Sequence, residues 1–358
     1  MESSRPVFLI AGARPNFMKL APVARSLSKN QIDYSIIHTG QHYDYNLSKV
    51  FFKDLDIPEP DYFLNVGSAS HAVQTAKIMI AFEELCLESK PSLVVVFGDV
   101  NSTVACALVS SKLGIKVAHV EAGLRSRDRD MPEELNRIVT DHLSDIHFTT
   151  SELAGRNLVE EGISDKDIQF VGNVMIDTLV WQREKIEESE VLNNLGLIKC
   201  EYDLLTLHRP SNVDSKSKLT EILEAFNDIS FGKIVFPIHP RTKNSIKKFD
   251  LWHLVQKENF VLTEPFGYND FISLVSNCNS VWTDSGGIQE ESSFLGVRCI
   301  TLRENTERPE TVFLGTNTLV SPSKDAIISA RKNPRQITAE GIPLWDGNAA
   351  DRIVSNLK

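Results

Sequence analysis

The sequence predicts an α/β protein built from two Rossmann-like, doubly wound parallel-sheet domains, and three observations carry that prediction. The chain is 358 residues long, more than the ~100–200 residues that one core ordinarily serves. Short, β-branched apolar runs alternate with helical patterns in units of ~30 residues, the rhythm of right-handed βαβ layers. That rhythm runs to about residue 149 and restarts near Leu204.

The elements follow in chain order. Val7–Ala11 reads as a buried strand, and residues 22–29 continue a helix after it. Tyr34–His38 is a second strand, and residues 73–87 have helical spacing. Leu93–Phe97, closed by Gly98, is the clearest parallel strand, because a strand buried on both faces is continuously apolar. Residues 104–113 read as a helix, 116–120 as a strand, Pro132–Leu143 as a helix and Ile146–Thr149 as a strand. In the second half the strands are 204–207, 234–238, 260–262, Ser280–Thr283 and Cys299–Leu302. The charged, turn-poor stretch 183–196 marks the junction region.

Composition excludes several function classes. Hydrophobic residues are 42% and charged residues 24%, which excludes wholesale disorder. With 38 basic against 48 acidic residues the chain carries −10, a poor balance for generic nucleic-acid binding. An anionic ligand would be held by a few placed cations. No apolar run approaches the ~18 residues that span a bilayer, and residues 7–11 are too short for a signal-peptide core. Five scattered cysteines form no CxxC pair and no metal spacing, which suggests buried thiols in a reducing compartment. The expectation is a cytoplasmic protein with no nucleic-acid or membrane partner and no metal. GxGxxG, GxxxxGK[ST] and HExxH are absent, so neither a dinucleotide redox site, a P-loop nor a zincin site is indicated.

In doubly wound sheets ligands sit beyond the carboxyl ends of the strands, so the residues there carry the functional reading. After the first strand, Gly12-Ala13-Arg14-Pro15 offers a tight turn, a proline suited to a first helical position, and an arginine that is either a surface charge or an anion contact. After Leu93–Phe97, Asp99 is a catalytic carboxylate or a helix cap. Glu121 follows His119 at the end of an apolar strand, where desolvation would raise its pKa toward the range a general acid or base needs. Glu133, Arg137 and Asp141 recur every four residues, which fits either an exposed ion-pair ladder or a site face. In the second half, His208-Arg209 and His239-Pro240-Arg241 each follow a strand, as ligand contacts or as structural histidines. Thr283-Asp284-Ser285-Gly286-Gly287-Ile288-Gln289-Glu290-Glu291 runs from strand through Ser-Gly-Gly into a helix starting near Ile288. That is a diphosphate cradle, with Glu291 placed for ribose hydroxyls, unless the glycines serve helix–strand packing.

Together these motifs resemble the non-hydrolysing UDP-N-acetylglucosamine 2-epimerases. The resemblance covers nearly the whole chain, from Gly12-Ala13-Arg14-Pro15 through Gly98-Asp99, His119-Val120-Glu121-Ala122-Gly123-Leu124-Arg125, Pro132-Glu133-Glu134-Leu135-Asn136-Arg137, His208-Arg209 and the Thr283–Glu291 run to Thr306-Glu307-Arg308-Pro309-Glu310. It implies a glycosyltransferase-B-like arrangement of residues 1–172 and 173–347, with the active site in the interdomain cleft and helix 348–358 packing back on the first domain. It implies cofactor-free conversion of UDP-GlcNAc to UDP-ManNAc, by elimination of UDP to 2-acetamidoglucal and re-addition, and a homodimer. The family's catalytic carboxylates match Asp99, Glu121 and Glu133, with the C2 base unassigned among them. Its UDP-holding groups match Arg14, Lys19, His208 and Ser285-Gly286-Gly287, and its ribose contact matches Glu291. Arg137 would orient Glu133 or the substrate, Phe266 is the best uracil-stacking candidate, and His239 and Arg308 complete the substrate-binding set.

Hydrolysing relatives carry a His-Gly-Gly-Glu-type sequence where this chain has His119-Val120-Glu121-Ala122-Gly123. Relatives acting on diacetamido-uronic UDP-sugars tend to lack the Thr306–Glu310 run. A hydrolysing epimerase and a UDP-sugar-dependent glycosyltransferase are the alternatives on the same fold. Where activated members carry Arg and a second long polar residue after the second strand, this chain has Tyr43-Asp44 after Gln41-His42, and residues 67–70 lack the basic residue expected there, so the resemblance leaves activation by a second UDP-GlcNAc open.

Overall fold

The computed structural model describes residues 5–40, 57–228, 230–334 and 341–357, with the side chains of Arg14 and Pro15 excepted. Residues 41–44 lie outside that set, so that part of the activation reading meets no structure. The chain divides into two compact units, Met1–Trp181 with Pro343–Lys358, and Gln182–Ile342.

In the first unit the described strands are β1 (Val7–Ala11), β2 (Tyr34–His38), β3 (Tyr62–Phe63), β4 (Leu93–Phe97), β5 (Lys116–Ala122), β6 (Ile146–Thr149) and β7 (Ile168–Phe170). They form a parallel sheet in the order β3-β2-β1-β4-β5-β6-β7. The order reverses between β1 and β4, which is where a doubly wound sheet opens a ligand crevice. One face buries Phe8, Ile10, Ile37, Val94, Val96 and Val117, alternate residues of the four central strands. Helix α1 (Arg14–Lys29) follows β1 and α2 (Pro132–Leu143) follows β5. Helix α3 (Val174–Trp181) packs on α1, which is why the unit extends to Trp181. The C-terminal helix Ala349–Asn356 packs on both, and Asp177 accepts hydrogen bonds from the backbone of Ala349 and Ala350 at its start.

The second unit repeats the plan with β8 (Tyr202–Thr206), β9 (Lys233–Pro237), β10 (Phe260–Thr263), β11 (Ser280–Thr283), β12 (Cys299–Leu302) and β13 (Asn317–Val320), ordered β10-β9-β8-β11-β12-β13. Its alternation is legible residue by residue. Leu205, Phe236, Trp282 and Ile300 enter one core, and their neighbours Leu204, Val235, Val281 and Cys299 enter the core on the opposite face. Helix α4 (Gly286–Leu295) follows β11.

The fold class is the expected one, and four details differ. Strands β3, β7 and β13 lack the long apolar runs that marked the others. Helix α4 begins at Gly286, two residues before Ile288. Gly12 does not adopt a positive φ; the loop is instead held by Asn16, whose Oδ1 accepts from the N–H of Gly12 and Ala13. Four of the cysteines are buried, but Cys200 is exposed, at a left-handed turn position with φ 61°.

Candidate active site

In the first unit, candidate functional side chains gather at the carboxyl ends of β1, β4 and β5. Asn16, in the first turn of α1, donates from Nδ2 to the Phe97 carbonyl and so fastens the start of α1 to the end of β4. One turn on, Lys19 is buried, with Nζ 2.5 Å from Glu121 Oε2. Gly98 makes this possible: its φ is +64°, and a Cβ there would stand 2.8 Å from Lys19 Nζ. Lys19, expected to hold the diphosphate, is thus joined to a candidate catalytic carboxylate.

Glu121 is almost wholly buried and has φ 72°, with a register shift in the β5–β6 pairing between Val120 and Ala122. A left-handed non-glycine residue inside a strand is strained, and such strain concentrates at functional positions. Asp99 is no helix cap, since Val100 occupies that position for the following helix. Its Oδ2 instead accepts from Arg137 Nε (3.0 Å) and Nη2 (2.7 Å), and Asn136 donates to its backbone carbonyl (2.9 Å).

The four-residue series on α2 is not an exposed ladder. Arg137 and Asp141 are buried, and Arg137 pairs with Asp99 and Glu134. Glu134 also accepts from the backbone N–H of Ser126 and Arg127, tying down the loop before α2. Arg137 thus reaches Asp99 and Glu134. Glu133 sits half-buried in the first turn, and none of the ion pairs among the described residues includes it. The helix backbone places Arg14 in the first turn of α1; its side chain lies outside the described residues.

In the second unit the organising residue is Asp284, at the end of β11, which sequence reasoning quoted in a motif but assigned no role. It is fully buried and accepts from the N–H of His208 (3.1 Å), the N–H of Arg209 (3.0 Å) and Nδ2 of Asn212 (3.2 Å). His208 Nδ1 lies 3.0 Å from Asp284 Oδ1. Burial alone would push the Asp284 carboxyl up, but His208 and these backbone donors outweigh it and hold it below the ordinary carboxylate range. The pair aims the other face of the His208 ring, which is 40% exposed, outward. The His239 ring stands 5.6 Å from it, centroid to centroid, and His239 caps its own helix by accepting from the Arg241 N–H.

The Ser285-Gly286-Gly287 turn lies at the α4 N-terminus. Gly286 answers a packing need: a Cβ would stand 2.6 Å from Arg308 Nη1 and 2.8 Å from Glu307 Oε1. Arg308 is itself buried and engaged with Glu290 (2.8 Å) and Glu307 (2.6 Å). Glu291 is buried near the Tyr268 hydroxyl, and burial, with Glu290 adding to it, pushes its carboxyl up to about 8. Phe266 is half-buried and packs against the core between this sheet face and its helices. Among the described residues no cluster of His, Cys, Asp and Glu could hold a metal ion, and no helix is long and apolar enough to cross a membrane.

Sequence and fold both match known proteins. The family model for UDP-N-acetylglucosamine 2-epimerase matches residues 25–358. The UDP-N-acetylglucosamine 2-epimerase of Methanocaldococcus jannaschii is 46% identical over 97% of both chains. A structure of the enzyme from that organism in complex with UDP-GlcNAc and UDP superposes with a TM-score of 0.92 at 44% identity, covering 98% of this chain and 99% of the other. The UDP-2,3-diacetamido-2,3-dideoxy-D-glucuronate 2-epimerase of Pseudomonas aeruginosa is 39% identical over 98% of this chain and 99% of its own.

Proposed function

Because the chain belongs to the UDP-N-acetylglucosamine 2-epimerase family, we propose that it interconverts UDP-GlcNAc and UDP-ManNAc while retaining UDP. The observation that supports this reading is the pairing of two carboxylates with two cations at neighbouring strand ends, Lys19 with Glu121 and Arg137 with Asp99.

The hydrogen on C2 of the sugar is not adjacent to a carbonyl, so direct removal is difficult. In the proposed sequence a carboxylate of the Asp99/Glu121 pair takes the C2 proton while the C1–O bond breaks. The electron pair of that bond leaves on the diphosphate oxygen, and a C1=C2 double bond forms, giving 2-acetamidoglucal. A carboxyl proton is then delivered to the opposite face of C2 as the diphosphate oxygen re-forms its bond to C1. The reaction needs one group to take a proton and one to give it, and two carboxylates on separate strand ends suit that need. His208, aimed by Asp284, and the α4 N-terminus with Ser285, Gly286 and Gly287 stabilise the departing diphosphate.

In this reading Glu291 accepts from ribose hydroxyls, Phe266 offers a ring face to uracil, and Arg14, Glu133 and His239 complete the contacts. Arg308, committed to Glu290 and Glu307, acts by shaping the turn at Gly286. No cofactor takes part, and the enzyme works as a cytoplasmic homodimer.

One experiment separates the readings: an NMR time course of purified protein with UDP-GlcNAc in deuterated water. Deuterium at C2 of the UDP-sugar pool, with UDP-ManNAc appearing, is the expected result. Free ManNAc and UDP would mark a hydrolysing enzyme, and binding without exchange a non-catalytic one. The kinship with the Pseudomonas aeruginosa enzyme makes the diacetamido-uronate UDP-sugar the second substrate to test; faster exchange on it would move the substrate assignment. Asp99→Asn and Glu121→Gln should each lower exchange by ~100-fold or more while UDP affinity, measured by calorimetry, stays within a few-fold. Near-full turnover in both would overturn the assignment of these carboxylates.

A further inference from the structure

The strained backbone at Glu121 is held from both sides by one buried group that the proposed chemistry does not touch. Asp141, in the last turn of α2, is fully buried. Its Oδ1 lies 2.6 Å from His119 Nδ1, and its Oδ2 accepts from the Gly123 N–H (3.2 Å) and lies 2.7 Å from Arg125 Nη1. These partners stand two residues before Glu121, two after it and four after it.

Each partner passes the constraint on. His119 donates from Nε2 to the Gly98 carbonyl (2.8 Å), the peptide that leads into Asp99, and the Gly98 N–H in turn bonds the Val120 carbonyl (3.0 Å). Arg125 is fixed by Glu161 through Nε and Nη2 and by the Leu124 carbonyl through Nη1. The Gly123 carbonyl accepts from Asn157 Nδ2, and with φ +78° a Cβ at Gly123 would collide with the Ala154 carbonyl.

We propose that Asp141 is a positioning residue for both candidate catalytic carboxylates: through His119, Gly123 and Arg125 it holds the turn that carries Glu121, and through His119 it fixes the peptide that presents Asp99. A left-handed, non-glycine conformation persists only where its surroundings over-determine it, and Asp141 supplies three of those determinants from outside β5. Burial works against an ionised Asp141, but His119 and Arg125 outweigh it and keep the carboxyl below its ordinary range, so it acts as the anion this geometry requires. A buried cluster of this kind could serve stability alone; here each contact lands beside Glu121 or on the peptide before Asp99.

The proposal rests on the assignment of Asp99 and Glu121 to proton transfer, and the test keeps the two separable. Asp141→Ala, Asp141→Asn and His119→Gln are compared with wild type for C2 deuterium exchange, and their backbone amides are followed by hydrogen exchange in the free protein. Asp177→Ala, which releases the C-terminal helix far along the chain from these residues, controls for lowered stability. Asp141→Ala should lower kcat by ~100-fold, the scale of a misplacement of about 1 Å, with KM within about threefold. Asp141→Asn keeps an acceptor for Gly123 and Arg125 and should recover part of that loss. Amides of Gly98, Glu121 and Gly123 should exchange faster in Asp141→Ala and less so in Asp141→Asn, while the control loses melting temperature but keeps its kcat. If Asp141→Ala does not fold, His119→Gln tests the same link and should show the same kcat-selective loss. Rates within about threefold of wild type, or a loss matched by the control, would overturn the proposal. Should wild type itself show no C2 exchange, the activity assignment falls, and the amide data alone decide: unchanged protection at these three amides in Asp141→Ala, or in His119→Gln if that variant does not fold, rejects the positioning role.

Discussion

At Asp284 a single buried carboxylate satisfies two backbone N–H groups, an asparagine and a histidine ring. Replacing it leaves those donors without their anion, and each orphaned buried donor costs ~1–3 kcal/mol. Asp284→Asn should therefore lower unfolding free energy by ~3 kcal/mol and reduce turnover as His208 loses its aim. His208→Ala, at a ring that is 40% exposed, should cost ~1 kcal/mol or less yet reduce turnover comparably. Denaturant titrations beside C2 exchange rates check this; equal stability losses in the two variants would refute it. At this scale the sequence showed which residues stand at strand ends, because that follows from the period of the elements. It did not show their partners. Glu133 and Glu134 are adjacent in an identical-looking motif, and only the rotation of α2 decides that Glu134 turns inward to Arg137. Lys19 reads as a free cation until the missing Cβ of Gly98 admits it to Glu121.

Among the elements, the strands buried on both faces were legible because burial itself writes a continuous apolar run, as in Leu93–Phe97. The short edge strands, such as Tyr62–Phe63 and Ile168–Phe170, carry no such record, and their pairing depends on a neighbour already in place. Glycines show the same division. Gly162, Gly286 and Gly123 look alike in sequence, but their surroundings predict an order of cost on substitution by alanine. Gly162 has φ +90° and open space, so only backbone strain of ~1 kcal/mol is expected. At Gly286 the new Cβ meets an arginine already held by two carboxylates, which cannot give way without breaking an ion pair, for ~2 kcal/mol. At Gly123 positive φ and a backbone carbonyl coincide, so ~3 kcal/mol or more is expected. Chemical denaturation of the three alanine variants checks the order Gly162, Gly286, Gly123. The Gly286 variant should lower turnover as well, because its clash lies at the α4 N-terminus.

For the whole molecule, the pH dependence of stability differs between the two units because their buried titratable groups differ. In the first unit, burial lowers His38 to about 4, so the unfolded chain binds the extra proton between about pH 4 and 6.5. That contribution to stability is lost as pH falls through this window. Asp177 in the same unit is raised by burial to about 6, so its contribution is present below its ordinary value and is lost as pH rises toward 6. The two slopes oppose each other, and the first unit should change little between pH 4 and 6. The second unit has Glu291 at about 8. Its folded form keeps a proton that the unfolded chain gives up above its ordinary value of 4.5, so stability falls steadily from about pH 5 to pH 8. Three pH units of one withheld proton correspond to ~4 kcal/mol. Glu291→Gln keeps the shape and removes the titration. Its stability should be nearly independent of pH over that range, and at pH 8 it should exceed wild type, although UDP binding weakens because the proposed ribose acceptor has lost its charge. Calorimetric or denaturant unfolding of both proteins at pH 5, 6.5 and 8 decides the matter. Parallel pH profiles for the two would place the titrating group elsewhere.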